Sequence, residues 1–260
     1  MKLLILSDLD QSPERCFQPS TEFDVAVLAG NISTPASQAV HRVRDSAAFP
    51  GVKAIVFVPG EREHGSGLAQ LTIKEMRKAA RSSNVYPLDC DEIVIDKVRF
   101  LGCTLWTDFT FRIETSSGPM SSVRLAQDAA VRAAWNDEAS YLQLLVPEQI
   151  QALHRIHRAW LLERLNQPYA GKTVVVTRHA PHRNSIPFRY LDDWLTASFA
   201  SELPSVFFEV PCLWVHGHGP QSADYKIGNC RVVSNPRGFL PRSPGLAQNP
   251  GFNPKRIVEI

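Results

Sequence analysis

Five short apolar runs in this 260-residue chain end in side chains able to ligate a cation or move a proton. Leu3–Ser7 runs into Asp8 and Asp10, Val25–Ala29 into Gly30-Asn31, and Ala54–Val58 into Glu61-Arg62-Glu63-His64 after a Pro-Gly step. Thr173–Thr177 gives Arg178-His179, and Cys212–Val215 gives His216-Gly217-His218. Each residue has an ordinary reading alone: Asp8 a turn former, Asn31 a helix cap, His179 a loop histidine. Brought together, carboxylates and imidazoles make a ligand set for a divalent cation or an acid–base pair. In open α/β sheets the carboxyl ends of the strands line the ligand crevice. The joint arrangement is therefore the signal.

The elements that must position these residues are legible from periodicity. The first three runs are short and β-branched. Helical patterns at Ser37–Ala47 and Ala69–Arg81 follow the second and third. Strand and helix in alternation predict an α/β fold with largely parallel strands. Glu92–Asp96 and Val98–Leu101 read as a hairpin. The stretch Ser121–Trp135 reads as helical, as does Asp192–Glu202. A long amphipathic helix is expected from Pro147 to Leu165, with Ile150, Leu153, Ile156, Trp160, Leu161 and Leu165 as its apolar stripe. On that reading His154 and His157 are solvated neighbours of Arg155 and Arg158. Ala223–Ile227, Arg231–Ser234 and Arg256–Ile260 complete the strands, the last pinning a Pro- and Gly-rich tail.

Composition narrows the classes. The chain is 44% apolar and 21% charged, with a formal charge of +2, which fits a globular domain and excludes disorder. One domain over residues 1–260 is expected. No apolar run approaches the roughly 20 residues of a membrane helix, and Asp8 ends the opening run too early for a signal peptide. A cytoplasmic protein without a membrane or nucleic-acid partner is the expectation. Cys16, Cys90, Cys103, Cys212 and Cys230 are odd in number and form no C-x-x-C pair, so no disulfide framework, zinc ribbon or redox chemistry is assigned.

The segments MKLLILSD, VAVLAGN, VFVPGE, VRFLGCTLWTDF, VVVTRHAPHRNSIP, CLWVHGHG and VVSNPRG, in this order and spacing, resemble the calcineurin-like metallophosphoesterase superfamily, in particular its small prokaryotic phosphoesterases. The resemblance implies a four-layer αββα sandwich of two mixed sheets. It also implies two divalent cations about 3.5–4 Å apart with a bridging hydroxide that attacks phosphorus in line. Position by position, the chain departs from the motifs Asp-x-His, Gly-Asp, Gly-Asn-His-Asp/Glu, a lone His, and Gly-His-x-His. Asp8 keeps the first aspartate, and Asp10 stands for the histidine after it. Asn31 replaces the metal-bridging aspartate, Glu61 the asparagine ligand, and Arg62 the histidine that protonates the leaving group. Arg178 replaces the first His of a Thr-His-His-Ala-Pro stretch, and His179 keeps the second. His218 keeps the first His of the last motif, where Pro220 stands for the second, with His216 just upstream.

These exchanges imply a metallophosphoesterase-fold protein with most dinuclear ligands replaced: a catalytically impaired pseudoenzyme with a binding or regulatory role. A neutral amide at Asn31 cannot offset two dications, and Arg62 is too basic to act as a general acid. Arg62 and Arg178 are expected near the vacated cation positions, paired with Asp8, Asp10 and Glu61. Arg183 joins them as a candidate anion or salt-bridge residue. No cofactor is expected. The alternative is an active phosphoesterase with a remodelled single-metal site for Mn, Fe or Zn. There Asp8, Asp10 and His218 would hold the cation, Glu61 or His179 would complete the shell, and Arg62 would contact the phosphoryl oxygens. The expected partner is a protein, or a small phosphate-containing ligand, with Phe188-Arg189-Tyr190 and Phe239-Leu240 as candidate contact stretches.

Overall fold

A computed structural model describes residues 1–9, 22–65, 69–111, 113–115, 118–120, 147–191, 194–238 and 249–260. Asp10, the Ser121–Trp135 stretch and Phe239-Leu240 lie outside the described residues. The first sheet contains β1 (Lys2–Leu6), β2 (Val25–Ala29), β3 (Ala54–Val58), β4 (Val85–Pro87) and β13 (Ile257–Glu259), in the order β13-β1-β2-β3-β4. β1 through β4 run parallel, and β13 pairs antiparallel along β1. The second sheet contains β5 (Asp91–Ile95), β6 (Val98–Cys103), β9 (Lys172–Thr177), β10 (Leu213–His216), β11 (Ala223–Ile227) and β12 (Cys230–Ser234), in the order β11-β12-β10-β9-β6-β5. Its four inner strands are parallel. The edges β5 and β11 join by antiparallel hairpins. A small hairpin, β7 (Ile113–Thr115) and β8 (Gly118–Met120), stands apart from both.

Strand burial follows position in the layers. β2 and β3 are buried at every residue, as continuous Val/Ala/Ile runs must be when both faces are covered. The edge strands β5 and β11 instead alternate half-buried with exposed residues. Leu3, Ile5, Val25 and Val27 interleave with Phe100, Val174, Val176 and Val215 between the sheets. The opposite face of the first sheet packs Leu4, Leu28 and Phe57 against α1 (Ala36–Arg44) and α3 (Ala69–Ala79) through Val40, Val43 and Met76. The outer face of the second sheet packs Val175 and Trp214 against α4 (Pro147–Asn166) through Leu161 and Leu165. Helices, sheet, sheet, helix: this is the four-layer αββα sandwich of two mixed sheets.

Two expectations are corrected. The buried stripe of α4 is Ile150, His154, His157, Leu161 and Leu165, while Ile156 is 60% exposed. Spacings of four, three, four and four make one straight line down a helix, and two polar residues lie on it. Asp192–Glu202 is no α-helix: its described part has a single 3₁₀ turn at Trp194–Ser198, after which Ala200 bridges to Ala180 in extended form.

Candidate functional site

The carboxyl ends of β1, β2, β3, β9 and β10 converge. The chain leaves β1, β2 and β10 in a left-handed conformation on non-glycine residues: Asp8 at φ 54°, Asn31 at 56° and His218 at 52°. Such φ values are uncommon outside glycine and cluster at functional sites. They turn all three side chains back over the sheet ends. α2 (Glu61–His64), a single turn after β3, adds Glu61, Arg62 and Glu63.

Arg178 is the hub of this cluster, with its side chain only 1% exposed. Its Nη1 donates to Asp8 Oδ1 at 2.6 Å and its Nε to Glu61 Oε2 at 2.8 Å. Nη2 lies 2.6 Å from His218 Nδ1. An arginine nitrogen can only donate, so that imidazole nitrogen carries a lone pair. The His218 ring also bonds the Ser198 backbone, and its main-chain N–H donates to Asp8 Oδ2 at 3.2 Å. The arginine lies in a slot cleared by glycines. A Cβ on Gly30 would strike its Cδ, one on Gly60 would approach Cδ to 3.0 Å, and one on Gly217 would approach Nη1 to 2.8 Å.

Burial acts on every charge here. It is the largest single influence on Glu61 and would raise it, but Arg178, His218 and His179 together outweigh it and hold that carboxyl well below the usual range. Burial wins at Asp8, which is raised despite Arg178. It drives His218 well below its ordinary value, consistent with a neutral ring that accepts from Arg178. Burial opposes the charge of Arg178 itself, but Asp8 and Glu61 overcome that and raise it.

One carboxylate oxygen is left over. Glu61 Oε1 is buried without a well-directed donor among the described residues. His179 Nε2 lies 3.1 Å from it and His218 Nδ1 3.4 Å. His179 Nδ1 is 3.2 Å from the Thr104 carbonyl, which can only accept, so in the neutral ring Nε2 holds the lone pair. Oε1, Nε2 and Nδ1 all lie within 4.8 Å of one another.

The surroundings fix this geometry. Glu63 is buried, and its carboxylate takes four main-chain N–H groups. Asn31 N and Gly60 N donate to Oε2 at 2.9 and 2.8 Å, and Ile32 N and Ser33 N to Oε1 at 2.6 and 2.9 Å. Burial still raises this carboxyl. Thr104 donates from its backbone N to Asp89 Oδ1 at 2.8 Å, and its hydroxyl meets His64 Nε2 at 3.1 Å. The backbone of Leu105, at φ 67°, is clamped by the two histidines of α4. Its N–H donates to His157 Nδ1 at 3.2 Å, and its carbonyl accepts from His154 Nδ1 at 3.0 Å. Far from being solvated beside Arg155 and Arg158, His154 and His157 are buried at 1% and 4%.

Of the residues singled out by sequence, Asp8, Glu61, Arg178, His179 and His218 share one cluster. Asn31 lies beside it, but its Oδ1 accepts from the Arg62 backbone N–H at 3.1 Å. Arg62 sits half-buried on α2 next to it. His216 turns both nitrogens away, Nδ1 to the Gly217 carbonyl and Nε2 to Ser185 Oγ, each at 2.8 Å. Arg183 is not brought in: it pairs with Glu202 at the surface, Nη2 to Oε2 at 2.6 Å. Sequence reasoning missed the supporting roles of Glu63, Thr104, His154 and His157. The spacing of 150, 154, 157, 161 and 165 was the one available signal for the two histidines.

A pair of divalent cations does not fit this arrangement. Arg178 already engages Asp8, Glu61 and His218 at once, and the Asn31 amide is bound to backbone. Comparison with known proteins defines the class of fold. No family model matches the sequence, and no curated protein does either. Among solved structures, a phosphopantetheinyl hydrolase from Mycobacterium tuberculosis superposes with a TM-score of 0.65 at 15% identity, covering 92% of this chain and 89% of that one. A structure described as a 5′-nucleotidase from Staphylococcus aureus, in complex with alpha-ketoglutarate, gives a TM-score of 0.44 at 9% identity, over 90% of this chain and 48% of that one. The chain thus shares the fold of the phosphopantetheinyl hydrolase over nearly its whole length.

Proposed function

We propose that this is a metallophosphoesterase-fold protein in which an arginine has taken over the charge balance of the metal centre, leaving a pseudoenzyme with a binding or regulatory role. The observation that carries this reading is the Arg178 hub: one buried guanidinium satisfies Asp8, Glu61 and His218 together, in a slot kept open by Gly30, Gly60 and Gly217. Charge-assisted bonds of this kind are among the strongest a side chain makes. A hydrolase centre must instead present cations and a nucleophilic hydroxide to phosphorus. The partner is a protein or a small phosphate-containing ligand, and no cofactor is needed to hold the strand ends together.

The test is metal content and melting temperature together. Untagged protein, re-equilibrated with excess Mn²⁺ and desalted, is expected to hold close to no metal. EDTA is expected to leave its melting temperature unchanged. Two bound metals per chain, or a strong loss of stability in EDTA, would overturn the reading.

A second reading has its own observation. Glu61 Oε1, His179 Nε2 and His218 Nδ1 are 3.1–3.4 Å apart along Oε1–Nε2 and Oε1–Nδ1. Ligands at about 2.0–2.1 Å from a tetrahedral zinc are spaced by roughly 3.3 Å. His179 also makes the backbone carbonyl contact that metal-bound histidines use to fix their tautomer. One divalent cation there would supply Lewis acidity. These residues would hold it only if Arg178 released His218. About one metal per chain in the same measurement would select this reading.

A further inference from the structure

Cys90 and Cys103 are separated by twelve residues, with no cysteine motif to link them in sequence. The β5–β6 hairpin brings them side by side. Its two-residue turn, Asp96-Lys97, has φ values of 47° and 64°, and the ladder runs from Ile95↔Val98 to Asp91↔Gly102. Cys103 is the last residue of β6, and Cys90 precedes β5 at φ 50°, just past the last ladder pair. The two cysteines thus lie between two cross-strand links, the Asp91↔Gly102 pair and the bond from Thr104 N to Asp89 Oδ1 at 2.8 Å. A disulfide spans Cα separations of roughly 4.4–6.8 Å. Cys103 belongs to the core beneath α4, and Cys90 packs against that same core.

The remaining described cysteines supply a contrast. Cys212 and Cys230 adjoin Leu213 and Arg231, which are paired across β10 and β12. Cys212, however, packs toward the core between the sheets and Cys230 toward the outer one. Sequence neighbours of a register pair are not enough; the thiols must share a face.

We propose that Cys90 and Cys103 are a site of reversible covalent modification, closing to an intramolecular disulfide when the protein meets a low-molecular-weight disulfide, and that the bond rigidifies the floor of the Arg178 centre. Cys90 is the partly exposed member and Cys103 the buried one. The Cys90 thiolate attacks one sulfur of the small disulfide, forming a mixed disulfide and releasing a small thiolate. The Cys103 thiolate then attacks the Cys90 sulfur and releases the second. Two protein thiols are oxidised, one small disulfide is reduced, and the two protons lost by the cysteines end on the two released thiolates. Burial pushes the Cys90 thiol up to about 12 and Cys103 well above its ordinary value. Closure is therefore slow. It is also stable once made, because the reduced pair gains nothing by ionising.

The bond would sit where it matters. The residues just beyond the pair, Asp89 and Thr104, are already joined, Asp89 Oδ1 accepting from Thr104 N at 2.8 Å and from its hydroxyl at 3.2 Å. Thr104 in turn holds His179 through its carbonyl.

The experiment oxidises the reduced full-length chain with glutathione disulfide at mildly alkaline pH, caps the remaining thiols and maps the peptides. A Cys90–Cys103 cross-linked peptide is expected, together with the loss of two hydrogen masses from the intact chain. A dithiothreitol-reversible rise in melting temperature of a few degrees should accompany it. Amide exchange at Thr104 and Leu105 should slow by about tenfold or more, since a restrained local opening exchanges less often. Cys90→Ser should abolish all three changes; if that variant does not fold, the wild-type map decides alone. Recovery of both cysteines capped, of either as a glutathione adduct, or of Cys103 joined to another cysteine would overturn the site. A cross-link that leaves exchange at Thr104 unchanged would overturn its reach into the Arg178 centre.

Discussion

Arg178 and Glu63 are buried charges on the same strand ends, neutralised in opposite ways. Glu63 is satisfied by four main-chain amides, from Asn31, Ile32, Ser33 and Gly60. Arg178 is satisfied by side chains alone: Asp8, Glu61 and His218. Backbone amides are fixed by the fold and accept nothing else in exchange. Carboxylates and an imidazole would serve a metal cation equally well. The loop between β2 and α1 is thus locked by Glu63, whereas the centre around Arg178 is held by partners that a metal could take over. That difference is the lesson of the site, and substitutions can break it.

Arg178→Ala should have the largest effect. It leaves Asp8 and Glu61 buried without their cation, and breaking a buried charge pair from one side costs about 3–5 kcal/mol. Urea unfolding should show a loss of that size. Because the orphaned groups are ligands, millimolar Mn²⁺ or Zn²⁺ should restore part of the stability to the variant and none to the wild type. A variant as stable as the wild type would mean that Arg178 does not carry the charge balance. One that is destabilised yet indifferent to metal would mean that Asp8 and Glu61 are not exchangeable partners.

Glu63→Gln should follow, at about 2 kcal/mol or more. The amide oxygen can still accept two backbone N–H groups, but the amide nitrogen would face the other two, leaving buried donors unpaired at roughly 1–3 kcal/mol each. No metal should rescue this variant, and that contrast with Arg178→Ala sharpens the comparison more than either loss alone. A metal-dependent recovery of Glu63→Gln would erase the distinction between the two charges.

The layers of the fold were legible in sequence because buried parallel strands write themselves as continuous apolar runs, and β1, β2, β3, β9 and β10 do so. The cluster was legible because those runs stop at Asp8, Glu61, Arg178, His179 and His218. What stayed hidden was satisfied by partners that no spacing reveals. Glu63 takes its donors from the backbone of a loop thirty residues upstream. Arg183 has the same chemistry as Arg178, yet finds Glu202 at the surface instead. His154 and His157 were misplaced because a polar residue in an apolar stripe is usually outside it. Here the backbone of Leu105, in its left-handed turn, offers a donor and an acceptor that two imidazoles can meet.

Those two histidines lead to the smallest effect, a dependence of stability on pH. Burial holds both His154 and His157 below the ordinary histidine value, Asp108 and Asp89 opposing it only in part. The folded state therefore takes up protons at lower pH than the unfolded chain. Stability from each is complete above about pH 6.5, the unfolded value, and is lost as the pH falls from there toward the folded value. The geometry agrees: His157 Nδ1 accepts from the Leu105 N–H and has no place for a proton, while His154 Nε2 is buried with no hydrogen-bond partner among the described residues. Each group adds at most about 1.4 kcal/mol per pH unit to the slope in that window. His157→Gln should lower the slope between neutral and mildly acid pH by up to that amount, whatever it does to stability at neutral pH. Urea unfolding across that range reads the slope directly, and an unchanged slope would place His157 outside the acid response. Glu63 does not enter that difference, since it is untouched in both proteins. The clamp on Leu105 would then be held by a group that acid can release, beside a loop lock that backbone amides hold.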